Sequence, residues 1–396
     1  MAVKTWTIID KATRTQIEEL VIQPADGAKS LRGCSVAQRT LHGGLSEGVS
    51  SLRVNNGRLS FDLLPTRGLG IWKAWVDGQE IGWHSPVSGP VHPQFVPFQE
   101  PSGLGWLEGF DELLVRCGIE SNGAPDFDEK GRVTYPLHGR IANRPAHHVE
   151  VQLDDATGEI KVVGEVDETR FLFQKLRLRT TVTTRAGSTD LSIRDEIINL
   201  SDVPAEAQIL YHVNFGVPVL DAGARFMAPV EIMMPRDKRA AEGMSSWDSY
   251  AAEEPGYSEQ VYFLKLRGDS HDQSMALLRN AHGTLGVSLH FNVKQLPCFS
   301  LWKNTSALAD GYVTGLEPGT NYPNPRSYEK SQDRVVKLAP KASCAFDLRM
   351  SVHADAKSVA AAEAEVQKLQ AGGPAKIHDQ PQAGWCKLKD QEEAKP

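Results

Sequence analysis

A chain of 396 residues with 40% hydrophobic and 23% charged residues can bury a large core, which excludes a disordered or collagen-like polymer. Its 43 Lys and Arg against 50 Asp and Glu leave a net charge of −7 without a basic stripe, a poor match to nucleic acid. Five scattered cysteines (Cys34, Cys117, Cys298, Cys344, Cys386), never in a CxxC pair, predict a reducing compartment rather than a disulfide framework or a zinc ribbon. No apolar run approaches the ~20 residues of a membrane helix, and the opening MAVKTWTIIDKATRTQ lacks the apolar stretch and cleavage site of a signal peptide. The expectation is a cytoplasmic globular protein with neither a membrane nor a nucleic acid as partner.

In chain order, residues 10–20 (DKATRTQIEEL) predict a short helix within an N-terminal extension, 1–50, that packs on the main body. Strands are predicted at 51–55, 58–65 and 70–77. The Gly- and Pro-rich stretch 78–131 reads as an ordered, functional loop system. Inside it, residues 105–118 offer two readings: Asp111, Glu112 and Cys117 as site residues, or a short amphipathic helix with Phe110, Leu113 and Leu114 inward. Next comes period-two alternation at 149–153, 160–166, 176–184 and 191–197, the mark of half-buried antiparallel strands. Further strands are predicted at 207–214, 285–291, 297–303, 311–317 and 344–353, with a surface loop at 235–258. More than ten strands and no alternation with long helices predict an all-β fold of two packed antiparallel sheets over 51–354. Residues 355–370 predict a terminal helix stopped by Gly372-Gly373-Pro374, and 371–396 a loosely attached tail.

Polar groups gather at four strand ends. Leu64-Pro65-Thr66-Arg67-Gly68 puts an arginine fork beside glycines that permit close backbone approach. Tyr135 to Pro145 packs His138, Arg140, Asn143 and Arg144 into one short loop. In Tyr211-His212-Val213-Asn214-Phe215-Gly216, His212 and Asn214 interrupt an apolar strand and share a face. Glu317 closes the strand that runs into Pro318-Gly319-Thr320-Asn321, and Trp302 and Lys303 end the one before it, a possible stacking platform and charge for a sugar. Each segment also has a plainer reading, as a bulge, a solvated turn or a core histidine. Neither GxxxxGK[ST] nor HExxH occurs, and Gly103-Leu104-Gly105 lacks the context of a dinucleotide fingerprint, so no cofactor and no metal are expected.

Taken together, LPTRG, LHGR, YHVNFG and LEPGTN, in that order and spanning Leu52 to Val352, resemble the aldose 1-epimerase (galactose mutarotase-like) superfamily, in its branch of aldose-epimerase-related proteins. The resemblance implies a β-supersandwich with short terminal helices, a carbohydrate ligand in a shallow cleft and an isomerase activity. It implies that His212 protonates the ring oxygen while Glu317, ionised, takes the proton of the anomeric hydroxyl, and that the two flank the anomeric carbon. His138 and Arg67 would bind substrate, with Arg140, Asn143, Asn214, Trp302 and Lys303 as further contacts. The family's sugar-gripping aspartate has no clear counterpart, Asp111 and Asp237 being the nearest. Two other functions fit the same residues: an epimerase or isomerase of a sugar acid or keto-sugar, and a carbohydrate-binding protein without turnover.

Overall fold

The computed structural model describes residues 3–24 and 29–387. Two large sheets dominate it. In the ten-stranded sheet the long hairpins run side by side: Gln273–Arg279, Gly286–Asn292, Ser343–His353, Asp190–Asn199, Lys175–Arg185, Glu159–Thr169, Ala146–Asp154 and Val3–Asp10, with short strands at both edges. The alternating sequence explains this sheet directly. In Lys175–Arg185, Leu176, Leu178, Thr180, Val182 and Thr184 are buried while the residues between them face outward. A fourteen-stranded sheet lies against it, and one continuous core joins the inner faces, with Val151, Val162 and Leu178 of the first sheet meeting residues such as Leu52, Phe61 and Val213 of the second. The fold is a β-supersandwich of two largely antiparallel sheets.

Each strand predicted from the pattern is present, from Ser50–Asn55 to Ser343–His353, and the helix Ala356–Gln370 begins at an Asp355 cap whose carboxylate accepts from the Ser358 N–H. Residues 10–20 are not helical. Val3–Asp10 pairs with Ala146–Asp154, Thr15–Gln16 turns back on it, and Glu19–Ile22 joins the other sheet. Pairing with neighbouring strands overrides a local helical pattern there. Residues 3–22 thus contribute to both sheets. The tail is also seated as far as Lys387: Lys376–Ile377 pairs in parallel with Val230–Pro235, and Trp385 stacks on Tyr322 with ring centroids 5.0 Å apart. Residues 388–396 of the predicted tail lie outside the described residues.

The 78–131 stretch is ordered and mixed. It holds the strands Gln79–Ile81 and Leu114–Ile119 and a short 3₁₀ turn, Gly105–Gly109. Of the two readings of 105–118, the amphipathic helix gives way to one turn followed by a fully buried strand. Arg116 of that strand crosses the core to the buried carboxylate of Asp195 in the opposite sheet, and its Nη1 donates to the Leu69 carbonyl. No helix among the described residues is long and apolar enough to cross a membrane.

Candidate active site

Gln260–Leu266, Cys298–Asn304, Val313–Gly319, Ala205–Phe215 and Leu114–Ile119 are consecutive neighbours in the larger sheet. Their registers fix what stands beside what. Val213 lies opposite Leu316, which puts His212 across from Glu317. Val115 is opposite His212, Ser300 opposite Glu317, and Phe263 opposite Ser300. One row of side chains thus crosses five strands. Ile209, Tyr211, Val213 and Phe215 point into the core, so Leu210, His212 and Asn214 take the outer face.

His212 and Glu317 meet there, with Nε2 3.2 Å from Oε1, and they are only 5% and 3% exposed. Residue 315 has no side chain, and a Cβ there would come within 2.6 Å of Glu317 Oε1 and 3.1 Å of His212 Cε1. On the far side of the imidazole, Nδ1 lies 2.6 Å from Asn214 Oδ1. The Asn214 amide group donates to the carbonyls of Glu112 (3.0 Å) and His212 (3.3 Å).

Aromatic rings wall the pair. Phe110 and Trp302 lie 5.2 and 5.4 Å from the His212 ring, His138 5.4 Å and Trp106 6.1 Å. Trp302 is held at its edge, its Nε1 donating to Glu259 Oε2 at 2.7 Å, and Arg236 bridges Glu259 to Asp237 on the rim. His138 sits at φ 55°, its loop pinned by bonds from His138 N to Gly123 O and from Arg140 N to Gly118 O. Its Nδ1 donates to the Asn122 carbonyl at 3.0 Å, since a carbonyl only accepts, so in the neutral ring Nε2 is an acceptor. The Trp106 Nε1–H and the Ser300 hydroxyl are buried and find no hydrogen-bond partner among the described residues.

Electrostatics follow from burial. Desolvation lowers the pKa of His212, with His138 adding to the effect, and raises that of Glu317, with Glu259 adding to it. His138 is lowered to about 4, again by burial first. These directions oppose the charge state expected from the sequence, an ionised Glu317 beside a protonated His212. The two groups also do not flank a reacting carbon, because at 3.2 Å they touch.

The other predicted residues divide. Asn214, His138 and Trp302 belong to the pair's surroundings. Lys303 does not: neighbours on a strand face opposite ways, and its ammonium donates to the Ser246 and Ser249 carbonyls (2.8 and 2.7 Å) above the Tyr250 ring. Burial lowers its pKa to about 8. Arg67 is 1% exposed and spends its donors inside the protein, on the Glu112 carboxylate, the Val91 and Gly109 carbonyls and Asn143 Oδ1. Arg67, Glu112 and Asn143 therefore form a buried brace behind the site and leave no guanidinium for a ligand. Arg140 turns to Glu120 at 3.6 Å. Asp111 accepts from Trp72 Nε1, with its pKa raised to about 6 by burial. Cys117 is buried two residues along from Val115, its thiol pKa pushed up by burial. Sequence reasoning missed Trp83, whose ring packs 4.8 Å from Phe110, and Trp106, Gly315, Glu259 and Arg236. The Gly-Trp-Leu-Glu-Gly-Phe run was the one available signal, since Trp106 and Phe110 are spaced to stack, at 4.7 Å.

The family model described as a domain of unknown function, DUF4432, matches residues 46–352. A solved structure from Klebsiella pneumoniae subsp. pneumoniae, provisionally named an aldose 1-epimerase, is 37% identical over 96% of this chain and 100% of its own, with a TM-score of 0.92. A galactose mutarotase-like protein from Clostridium acetobutylicum (15% identical, 82% of this chain and 99% of its own, TM-score 0.56) shares the fold. So does a galactose 1-epimerase from Lactobacillus acidophilus (12%, 80% and 98%, TM-score 0.52). No curated protein matches this chain in sequence.

Proposed function

The chain belongs to the DUF4432 family, and on that footing we propose that it is an aldose 1-epimerase-like isomerase that interconverts the anomers of a free sugar. The observation that carries this reading is the His212–Glu317 contact on a face walled by Trp106, Phe110 and Trp302. Opening a cyclic hemiacetal needs one proton removed from O1 and one delivered to the ring oxygen. Both oxygens are bonded to the same carbon, so two adjacent groups reach them from one side. Each positioned transfer is typically worth ~10²–10⁴-fold. Indole faces suit the C–H face of a pyranose, and the unpaired Trp106 N–H and the bare Nε2 of His138 offer one donor and one acceptor to its hydroxyls. The 37% identity to a protein provisionally named an aldose 1-epimerase supports the same class.

The test is magnetisation exchange between anomeric protons across a panel of free monosaccharides. The wild type is expected to broaden or exchange at least one pair, and His212→Asn and Glu317→Gln are each expected to lose ~10²-fold or more while remaining folded. Near-wild-type rates in either variant overturn the mechanism. Incorporation of deuterium from solvent at a carbon of the sugar instead identifies an epimerase or isomerase acting beside a carbonyl, because anomer interconversion exchanges no carbon-bound hydrogen.

A further inference from the structure

The longest hairpin of the ten-stranded sheet, Glu159–Thr169 with Lys175–Arg185, closes on Arg170-Phe171-Leu172-Phe173-Gln174. This turn shows its apolar side chains to solvent: Phe171 is 84% exposed, Leu172 81% and Phe173 52%. The turn is nevertheless fixed. Phe173 N donates to the Arg170 carbonyl and Lys175 Nζ to that of Phe173. The Gln174 amide ties the tip to the larger sheet, accepting from Glu206 N at 2.6 Å and donating to Glu120 at 3.4 Å. Leu172 takes left-handed backbone, φ 67°, where glycine is at ease and a leucine is strained. A strained residue that packs on little within its own chain points to a contact outside it.

Beside the tip lies a cavity of about 550 Å³. Leu172 and Phe173 line it together with Pro204 and Val203, which is 63% exposed, and the Glu206–Arg326 ion pair (2.9 Å) forms part of its wall. With a whole aromatic side chain offering about 150–250 Å², Phe171, Leu172, Phe173 and Val203 together expose on the order of 500 Å². A patch of that size marks an interaction site.

We propose that two copies of the chain meet on this face about a two-fold axis, the Phe171-Leu172 tip of each entering the cavity of the other. A two-fold interface needs one patch complementary to itself, and here the projection and the hollow adjoin. The charges match in the same sense. Arg170 on the tip is exposed, and Asp202, next to Val203, is 91% exposed, so exchanging tips sets a guanidinium beside a carboxylate on each side of the axis. Two such patches together bury about 1,000 Å², the lower bound for a specific interface. An anionic lipid surface fits less well, because Glu120, Asp202 and Glu206 surround the same hollow. Residues 388–396 offer one large apolar side chain, Leu388, against four to be covered. Glu206 stands six residues from His212 along Ala205–Phe215, about 20 Å, so the dimer leaves both candidate active sites open. The inference does not depend on which reaction the chain catalyses.

Sedimentation velocity of the full chain tests it. At about 100 μM, above the micromolar dissociation constants of small interfaces, the wild type is expected to show twice the 43.5 kDa of one chain. Phe171→Asp/Leu172→Asp is expected to sediment as the monomer with an unchanged circular dichroism spectrum. Arg170→Glu and Asp202→Arg are each expected to weaken the dimer ~10-fold, and the two combined to restore it. A monomeric wild type overturns the proposal. If that monomer floats with phosphatidylserine vesicles and the Phe171→Asp/Leu172→Asp variant does not, the tip belongs to a membrane. Dimers that form only after residues 388–396 are removed overturn it as well, by giving the patch to the tail. A dimer that survives Phe171→Asp/Leu172→Asp puts the interface elsewhere, and a charge-swapped protein that stays weak rules out the exchange of tips.

Discussion

The distance between His212 and Glu317 depends on a residue that contributes no side chain. Gly315 shares their face, and its backbone is not in the left-handed region, so an alanine there is strained only by what it touches. Gly315→Ala is expected to displace the Glu317 carboxyl and cut anomer exchange at least ~10-fold by weakening proton transfer, with a circular dichroism spectrum like that of the wild type. An unchanged rate would mean that the contact is not used in catalysis. The residue scale also shows what a sequence can disclose. The shared face of His212 and Asn214 was legible because a strand's period is two. The same rule, applied one strand over, separates Trp302 from Lys303, which adjacency in the chain had seemed to join. Arg67 illustrates the converse: an arginine between glycines looks free until the carbonyls that saturate it, supplied from Val91 and Gly109, are known.

At the level of elements, the stretch between the Gln79–Ile81 strand and Leu114 is the lid of the aromatic wall, and Arg67 is its anchor. The guanidinium binds this stretch through Val91, Gly109 and Glu112, and reaches the 141–143 turn through Asn143. Removing one partner of a buried ion pair leaves the other charge unmatched, at a cost of about 3–5 kcal/mol. Arg67→Ala is therefore expected to lower unfolding stability by that order in urea titration, and to weaken sugar binding more than any loss of a direct contact would explain, since Trp83, Trp106 and Phe110 are released together. The strands beneath were readable from alternation, whereas Leu114–Ile119 was not: all six of its residues are buried, so it carries no alternation to read. Residues 10–20 were misread as a helix because their strands, two and four residues long, are too short to show alternation and are set by pairing with Val3–Asp10 and Ser35–Thr40.

For the whole molecule, the buried titratable groups set opposite demands on pH. His138 and His290 have folded pKa values lowered to about 4 and about 3 from 6.5, so the unfolded chain binds more protons below pH 6.5 and stability falls as the pH drops through that window. Glu168 is raised to about 7 from 4.5 by burial and the neighbouring Glu120, and Glu317 is raised in the same sense. Their contribution is complete below pH 4.5 and is lost as the pH rises through the folded values. Between about pH 7.5 and 8.5 the histidines are nearly all deprotonated in both states, whereas the raised glutamates are still losing protons. The thermal midpoint is expected to decline across that interval, and in a Glu168→Gln variant to decline less. A midpoint that rises across that interval contradicts the burial of these carboxyls.

The seating of Trp385 on Tyr322 has a consequence in time. Asn324, just beyond the Glu317 strand, donates to the Trp385 carbonyl across 61 residues of chain. At a synthesis rate of about 5–20 residues per second, the segment that covers this loop leaves the ribosome several seconds after the loop does. During that wait the face of Tyr322 that Trp385 later covers is exposed beside an unfinished sheet, so the nascent protein carries an uncovered aromatic ring next to the Glu317 strand until residue 385 emerges.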